Sequence, residues 1–242
     1  MRAEVLRKQI LNSKALKKEL RKYASPQRRA RSLGFFKTGK GDYGEGDQFI
    51  GVTVPDTRKV ARLFSEMNFT ELGLLLSSPI HEERLAALLI LVHRYKKGDE
   101  DVQEKVFHFY LKKIRYVNNW DLVDLSAHQI IGEHLLNEDK KLLYKLARSK
   151  SLWERRIAIV ASYAFIRNQT YDDTLRISEL LLTDREDLIH KAVGWMLREV
   201  GKRNEKVLEN FLKHYASKMP RTSLRYAIER FPESKRRAYL LL

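Results

Sequence analysis

The chain of 242 residues contains no cysteine. That excludes a disulfide framework, a thiolate zinc site and a cysteine nucleophile. It has no long hydrophobic run. The longest, Leu85–Val92, is eight residues, against the roughly 20 that a membrane-spanning helix needs. The N-terminal stretch MRAEVLRKQILNSKALKKEL is interrupted by charge throughout, so it lacks the apolar core of a signal peptide. It could lie on a membrane surface, but it has no Trp or Phe to anchor it there. The expected location is the cytoplasm, with no membrane partner. Strand-type alternation never survives beyond a few residues.

Familiar catalytic signatures are missing as well. There is no GxxxxGK[ST], no GxSxG and no HExxH. The seven histidines form no zinc-like cluster, and His128 and His134 are six apart, which puts them on different helix faces. Gly39-Lys-Gly41-Asp-Tyr-Gly44 spells GxGxxG, yet no strand precedes it and no helix starts at its end, so it does not read as a nucleotide site. Neither a metal nor a cofactor is expected.

What the chain does have is positive charge. It carries 47 Lys and Arg against 31 Asp and Glu, a net charge of +16, with a pI near 9.9. The excess is not scattered. Residues 1–33 hold 11 basic and 2 acidic side chains, and residues 201–242 hold 11 and 4, so 34–200 is neutral. Two basic ends around a neutral middle suggest the arms of a clamp. The partner class is polyanionic, nucleic acid ahead of an anionic membrane.

Hydrophobic residues make up 43% of the chain, enough for a core. Their spacing is helical almost everywhere. Ala3–Tyr23 reads as amphipathic, with Val5, Leu6, Ile10, Leu11, Leu16 and Leu20 among lysines and arginines. Ser25-Pro26 opens the next helix as cap and first residue, and Pro55, Pro79 and Pro220 stand at further starts. The spacing predicts helices over about 56–67, 69–77, 81–96, 100–116, 119–136, 139–149, 151–167, 171–183, 186–203, 205–218 and 221–231. Six of the 11 glycines lie at 34, 39, 41, 44, 46 and 51. They define a loop over 34–54 that also holds Phe35, Phe36, Tyr43 and Phe49. It is either a lid or binding loop, or a segment pinned down by its rings.

A weak internal repeat aligns Arg84-Leu-Ala86, Leu125-Ser-Ala127, Arg156-Ile-Ala158 and His190-Lys-Ala192, spaced by 41, 31 and 34 residues. Small residues at matching positions let neighbouring helices approach, and such units bury their apolar faces by stacking. The expectation is an all-α, HEAT-like helical-repeat solenoid with a concave binding face, built as one domain over 1–242.

Three tryptophan neighbourhoods carry the remaining chemistry. In Asn118-Asn-Trp120-Asp-Leu-Val-Asp124, Trp120 and Asp124 are i, i+4 and share one helix face. An aromatic plane beside a carboxylate suits a site where positive charge develops on a sugar. The alternative is a core tryptophan with a capping or surface aspartate. Asp121, in the first turn, fits compensation of the helix dipole. In Trp153-Glu-Arg155-Arg156, Trp153 reads as core, and Arg156 is either a phosphate clamp or a bridge to a neighbouring repeat. Lys191, Trp195, Arg198 and Lys202 form one helical stripe. It is either a surface for a nucleic-acid backbone or a buried ring flanked by snorkelling cations. Gly194, beside Trp195, would admit a second backbone.

These groups, in this order, resemble the bacterial and archaeal DNA alkylation-repair glycosylases of the AlkD type. The likeness runs from GDYGEGDQFIGVTVPDTRK through NNWDLVD and LWERRIAI to HKAVGWMLRE. It implies a HEAT-like solenoid that grips duplex DNA and hydrolyses the N-glycosidic bond of N3- and N7-alkylated purines in base excision repair, without a metal. The family's WDxxD element falls on Trp120 and Asp124, its arginine on Arg156, and the Trp of its GWxLRE element on Trp195. Some relatives lack these residues and bind DNA without excising bases. By the resemblance, Asp124 stabilises an oxocarbenium-like sugar and handles the attacking water, and Trp120 and Trp195 flank the lesion's backbone. Arg156 holds a phosphate, and the damaged base stays stacked. His128 either orients Asp124 or packs. Lys191, Arg198, Lys202, Arg155 and Tyr43 complete the expected DNA-binding set, in a protein expected to be a monomer. The alternative is a non-catalytic HEAT-like protein that binds damaged, bent or branched DNA.

Overall fold

The computed structural model describes residues 11–242. The first ten, including Val5, Leu6 and Ile10 of the expected amphipathic segment, lie outside the described residues. The chain divides into two compact units, the first ending at Ser126 and the second spanning Ala127–Leu242.

In the first unit, α1 (Ser13–Arg21) and α2 (Pro26–Phe35) precede the glycine-rich loop. Then come α3 (Val54–Leu63), α4 (Phe69–Leu76), α5 (His81–Lys97) and α6 (Glu100–Lys112). A 3₁₀ turn, Ile114–Tyr116, leads into the short α7 (Trp120–Asp124). The second unit opens on a π-helical turn, His128–Gly132, followed by α8 (Lys141–Ala147), α9 (Leu152–Ala161) and α10 (Tyr163–Arg167). It continues with α11 (Asp172–Leu180), α12 (Asp187–Gly201), α13 (Glu205–Tyr215), α14 (Arg221–Ala227) and α15 (Glu233–Leu240). The fold is all-α. Among the described residues the β-type pairing is one isolated bridge, Gln48 with Ile80. None of their helices is long and apolar enough to cross a membrane.

Helix starts follow from the sequence. Asn12, Ser25, Thr53, Asn68, Asp99, Ser151 and Asn204 each accept a first-turn N–H at the side chain, satisfying donors that a helix N-terminus leaves open. In the first unit α5 is the hub, buried without a break from His81 to Val92 and packed against α3, α4 and α6. In the second, α12 packs on α14, α9 and α13. The four repeat alanines, Ala86, Ala127, Ala158 and Ala192, are all fully buried. Gly194 has the role its position suggested. A Cβ there would stand 2.5 Å from the Ser223 carbonyl oxygen and 2.5 Å from Tyr226 Cβ, so only glycine lets α12 lie this close to α14.

Two expected helices are broken. The span 119–136 becomes α7 and the π turn, and 151–167 splits at Ser162 into α9 and α10. In each case a serine hydroxyl donates back along the chain, Ser126 Oγ to the Leu122 carbonyl at 2.5 Å and Ser162 Oγ to Ile159 at 2.7 Å. Such bonds compete with the helical ladder. In the π turn, a Cβ on Gly132 would lie 2.1 Å from the Ala161 carbonyl oxygen, so the wide turn seats its backbone on the end of α9. Helix α15 was not expected. It has no buried residue, and its few apolar side chains, Ala238, Tyr239 and Leu240, are consecutive and show no helical spacing.

Candidate functional site

The residues around Trp120 are assembled from three segments of the first unit. Asn119 caps α7, its Oδ1 accepting from the Trp120 amide at 2.8 Å, while its Nδ2 donates to Asp47 Oδ2 at 2.9 Å. Trp120 is half-buried. Its ring stacks on Phe36, centroids 5.2 Å apart and planes 20° apart, and meets Phe35 edge-on at 5.7 Å. Phe36 stacks on Phe49, and Phe49 on the His81 imidazole at 4.6 Å. The rings of the glycine-rich loop thus form a continuous layer from Trp120 to His81, which is the pinned alternative for this loop. Phe35 itself is 66% exposed. Tyr43, half-buried, points its hydroxyl at the Phe35 carbonyl, 3.4 Å away. The loop closes tightly at Gly51, where φ is +78° and a Cβ would stand 2.2 Å from the Ser25 carbonyl oxygen. Asp124 ends α7 and is half-buried.

Beneath the aromatic layer lies a charged network that the sequence reading missed. His81 Nε2 is 2.8 Å from Asp121 Oδ2, and His81 Nδ1 is 3.2 Å from Asp47 Oδ2. Arg84 donates to Asp47 Oδ1 at 2.6 Å and to the Ser78 carbonyl at 2.9 Å. All four side chains are buried. Burial opposes charge on the imidazole. The Asp121 carboxylate, through its charge and hydrogen bond, and the bond to Asp47 overcome it and raise His81 to about 9. Burial also works against the Asp47 carboxylate. The His81 bond, the Arg84 charge and the Asn119 bond nonetheless hold it below its ordinary value. At neutral pH the ring is therefore protonated, and both nitrogens donate. Asp121 also accepts from the Leu122 amide at 2.8 Å, so it serves the first turn as expected and does more besides.

The adjoining acids on α5 are buried too. Glu82 accepts from the backbone amides of Ile50, Gly51 and Val52. Glu83 takes the Ser78 hydroxyl at 2.6 Å and faces Lys17 at 2.9 Å. The available signal was His-Glu-Glu-Arg standing directly before LAALLILV: four polar residues opening a helix with no polar face for them to occupy.

In the second unit the half-buried Trp195 lies 6.1 Å from Tyr163, which meets His128 edge-on at 5.3 Å and carries Arg203 over its ring at 5.6 Å. Trp153, expected in the core, is half-buried. The cations around Trp195 are engaged. Lys191 pairs with Asp187 at 2.8 Å, Arg198 with Glu229, and Lys202 with the buried Glu199 at 3.0 Å. This corrects the picture of an open cationic stripe. Two of these partners come from the same helix, one turn away, and the third from 31 residues on. Arg155 is likewise clamped. It makes a two-pronged bond to Asp184, at 2.5 and 3.2 Å, and donates to the Ser149 and Lys150 carbonyls. Arg156 is only 5% exposed, with Nη1 on the Leu188 carbonyl. Its repeat counterpart Arg84 is buried in the same way. Arg156 thus ties α9 to α12, and Arg84 ties α5 to the glycine-rich loop and to the turn before the helix. Among the described residues no group of three or more His, Asp or Glu side chains is arranged to hold a metal ion.

A family model described as DNA alkylation repair enzyme matches residues 16–231. The chain belongs to the DNA alkylation repair enzyme family. Among solved structures, the chain is similar to a predicted DNA alkylation repair enzyme from Enterococcus faecalis, with a TM-score of 0.68 and 16% identity. That match covers 87% of this chain and 97% of the other. It is also similar to AlkD2 from Streptococcus mutans, with a TM-score of 0.54, 17% identity, and coverage of 91% and 97%. At such identities the likeness speaks for the helical-repeat fold alone. No curated protein sequence matches.

Membership of a DNA repair family implies DNA binding, and the net positive charge agrees. Open charge is present on α1 and α2, as it is at the exposed Arg58, Lys218 and Arg225 elsewhere. Lys14, Lys18, Arg29 and Arg31 are exposed and have no acidic partner among the described residues. Helix α2 has no buried residue at all.

Proposed function

We propose that this protein is an alkylpurine DNA glycosylase. It hydrolyses the N-glycosidic bond of N3- or N7-alkylated purines in duplex DNA, with Asp124 as the catalytic carboxylate and Trp120 as its aromatic partner. The observation that carries this reading is the pairing on α7. A half-buried carboxylate sits one turn from a half-buried tryptophan, and that tryptophan is held flat by Phe36.

The chemistry suits these groups. Alkylation at N3 or N7 makes the purine ring cationic, so it leaves with its bonding electron pair as a neutral base. Little acid help is needed. The sugar left behind has oxocarbenium character. A carboxylate stabilises that charge and accepts a proton from the attacking water. The π face of Trp120 favours the same cation. No step is routed through a metal or a cofactor. In the second unit, Trp195 and Tyr163 offer half-buried rings for sugar and backbone. Arg156, Arg155, Lys191, Arg198 and Lys202 are assigned to holding that surface in shape, and the exposed cations of α1 and α2 to binding phosphates. The protein is further read as a cytoplasmic monomer.

The test is chromatography of the bases set free from duplex DNA treated with a methylating agent. Protein-dependent release of 7-methylguanine or 3-methyladenine supports the reading. Tight duplex binding with no base released overturns it in favour of a non-catalytic DNA-binding protein.

A further inference from the structure

The buried network lies directly behind the residues assigned to the chemistry, and none of its members reaches a substrate from there. It joins three segments distant in sequence: Asp47 in the loop, His81 and Arg84 on α5, and Asn119 and Asp121 at the start of α7. We propose that His81 is the positioning residue of the active site, its two ring nitrogens tying α7 to the aromatic loop so that Trp120 and Asp124 are held in their working orientation. This rests on the glycosylase reading for its catalytic consequence, though not for its structural one.

Four observations support it. First, α7 has only five residues, too few to hold its own direction by helical bonds. Its orientation must come from tertiary anchors. Second, the anchors sit at its N-terminal end. Asp121 is fixed by His81, and Asn119 both caps the helix and bonds Asp47. Third, Phe36 lies 5.0 Å from His81 and 5.2 Å from Trp120, so the ring that supports Trp120 is packed on the same imidazole. Fourth, both ring nitrogens are used, which requires an imidazolium. A neutral histidine can donate to only one of two carboxylates.

The charged groups facing His81 are Asp47 from the loop, Asp121 from α7 and Arg84 from its own helix. Phe36 and Phe49 cover its faces. Loss of the proton would leave two buried carboxylates sharing one donor, and the loop and α7 would no longer be joined through the ring. Because this group stays protonated until about pH 9, that uncoupling falls at the alkaline edge of the working range.

The test compares wild type with His81→Gln, whose amide reaches one carboxylate only, and with Asp121→Asn, which removes the α7 end of the link. Both are made in a Trp153→Phe background, so that fewer indoles contribute to the emission. Three quantities are read below the melting transition: single-turnover excision at saturating protein, affinity for undamaged duplex, and Trp emission against pH. The expected result is a loss of about tenfold or more in the saturated rate with affinity changed less than about twofold. Wild-type emission should titrate with a midpoint near pH 9, and His81→Gln should abolish that transition. If folded His81→Gln excises at the wild-type rate, or if the emission transition persists in it, the proposal fails. If His81→Gln does not fold, Asp121→Asn carries the same rate and affinity comparison. If wild type shows no excision on any methylated duplex, the glycosylase reading falls, and the emission titration still decides whether His81 orients Trp120.

Discussion

Around Trp120 both the cations and their acids are buried; around Trp195 the cations reach solvent, each held by at least one carboxylate. In the first neighbourhood, one imidazolium is shared by Asp47 and Asp121 and one guanidinium adds to Asp47, under a layer of rings. In the second, Lys191 pairs with Asp187 and Arg198 with Glu229, while the buried Glu199 collects Arg198, Lys202 and Arg203. The difference teaches that a cation in a sequence stripe is not yet a cation available to DNA. Exposed pairs of this sort add little to stability, but they do reduce the local field a phosphate would meet. The exposed and unpartnered cations of α1 and α2 are better placed to supply that field.

The contrast can be broken most severely at Asp124. Asp124→Asn removes the one charge proposed to act in the transition state, and the single-turnover rate should fall by about 10²–10³-fold. Affinity for undamaged duplex should not fall with it.

Next in size is the pH dependence of folding stability, which tests the buried network. His81 has a folded value of about 9, above the ordinary 6.5 of an unfolded histidine. Its contribution is therefore complete below about pH 6.5 and is lost as pH rises from there through 9. The span corresponds to a loss on the order of 3 kcal/mol. Asp47 has the opposite sign. Its folded value is depressed, so its contribution is present above the unfolded carboxylate range and fades as pH falls below it. Denaturant melts from pH 5 to 9.5 should show the alkaline decline in wild type and a flatter curve in His81→Gln.

The two tryptophans should separate by kinetics. Trp120→Ala is expected to lower the saturated excision rate by about 30- to 100-fold, because the ring is proposed to act at the reacting sugar. Trp195→Ala is expected to weaken binding by about tenfold through lost stacking, with a smaller effect on the saturated rate. Equal effects on both quantities at both sites would erase the distinction drawn here.

The smallest expected effect concerns Glu199, which is buried and faces Arg198, Lys202 and Arg203. Glu199→Gln leaves those cations with less acidic company. Duplex affinity at low salt should rise by roughly twofold to fivefold, and the salt dependence should steepen by about one counterion. Unchanged affinity and slope would mean that this surface does not meet DNA.

Features set by near neighbours were legible in the sequence. The capping side chains, the helical spacing and the four buried repeat alanines are all local. So was Gly194, since a glycine inside an apolar helix asks for a close crossing. What escaped depended on separation along the chain. His81 meets Asp47 across 34 residues and Asp121 across 40, and no motif joins the three. Glu229 reaches Arg198 across 31, which made a paired arginine look open. The breaks at Ser126 and Ser162 were hidden for a different reason. Serine is tolerated in helices, and only the direction of its hydroxyl decides whether the ladder continues. For the candidate site, Trp120 and Asp124 were visible as an i, i+4 pair, whereas the network that orients them was not.

The measurement that tests the central claim most directly is base release by wild type and Asp124→Asn, assayed together on one methylated duplex at saturating protein. A free alkylpurine peak from wild type, reduced by about 10² or more in the variant, is the predicted result. Equal release by both proteins would contradict the role of Asp124, and no release by either would contradict the enzyme itself.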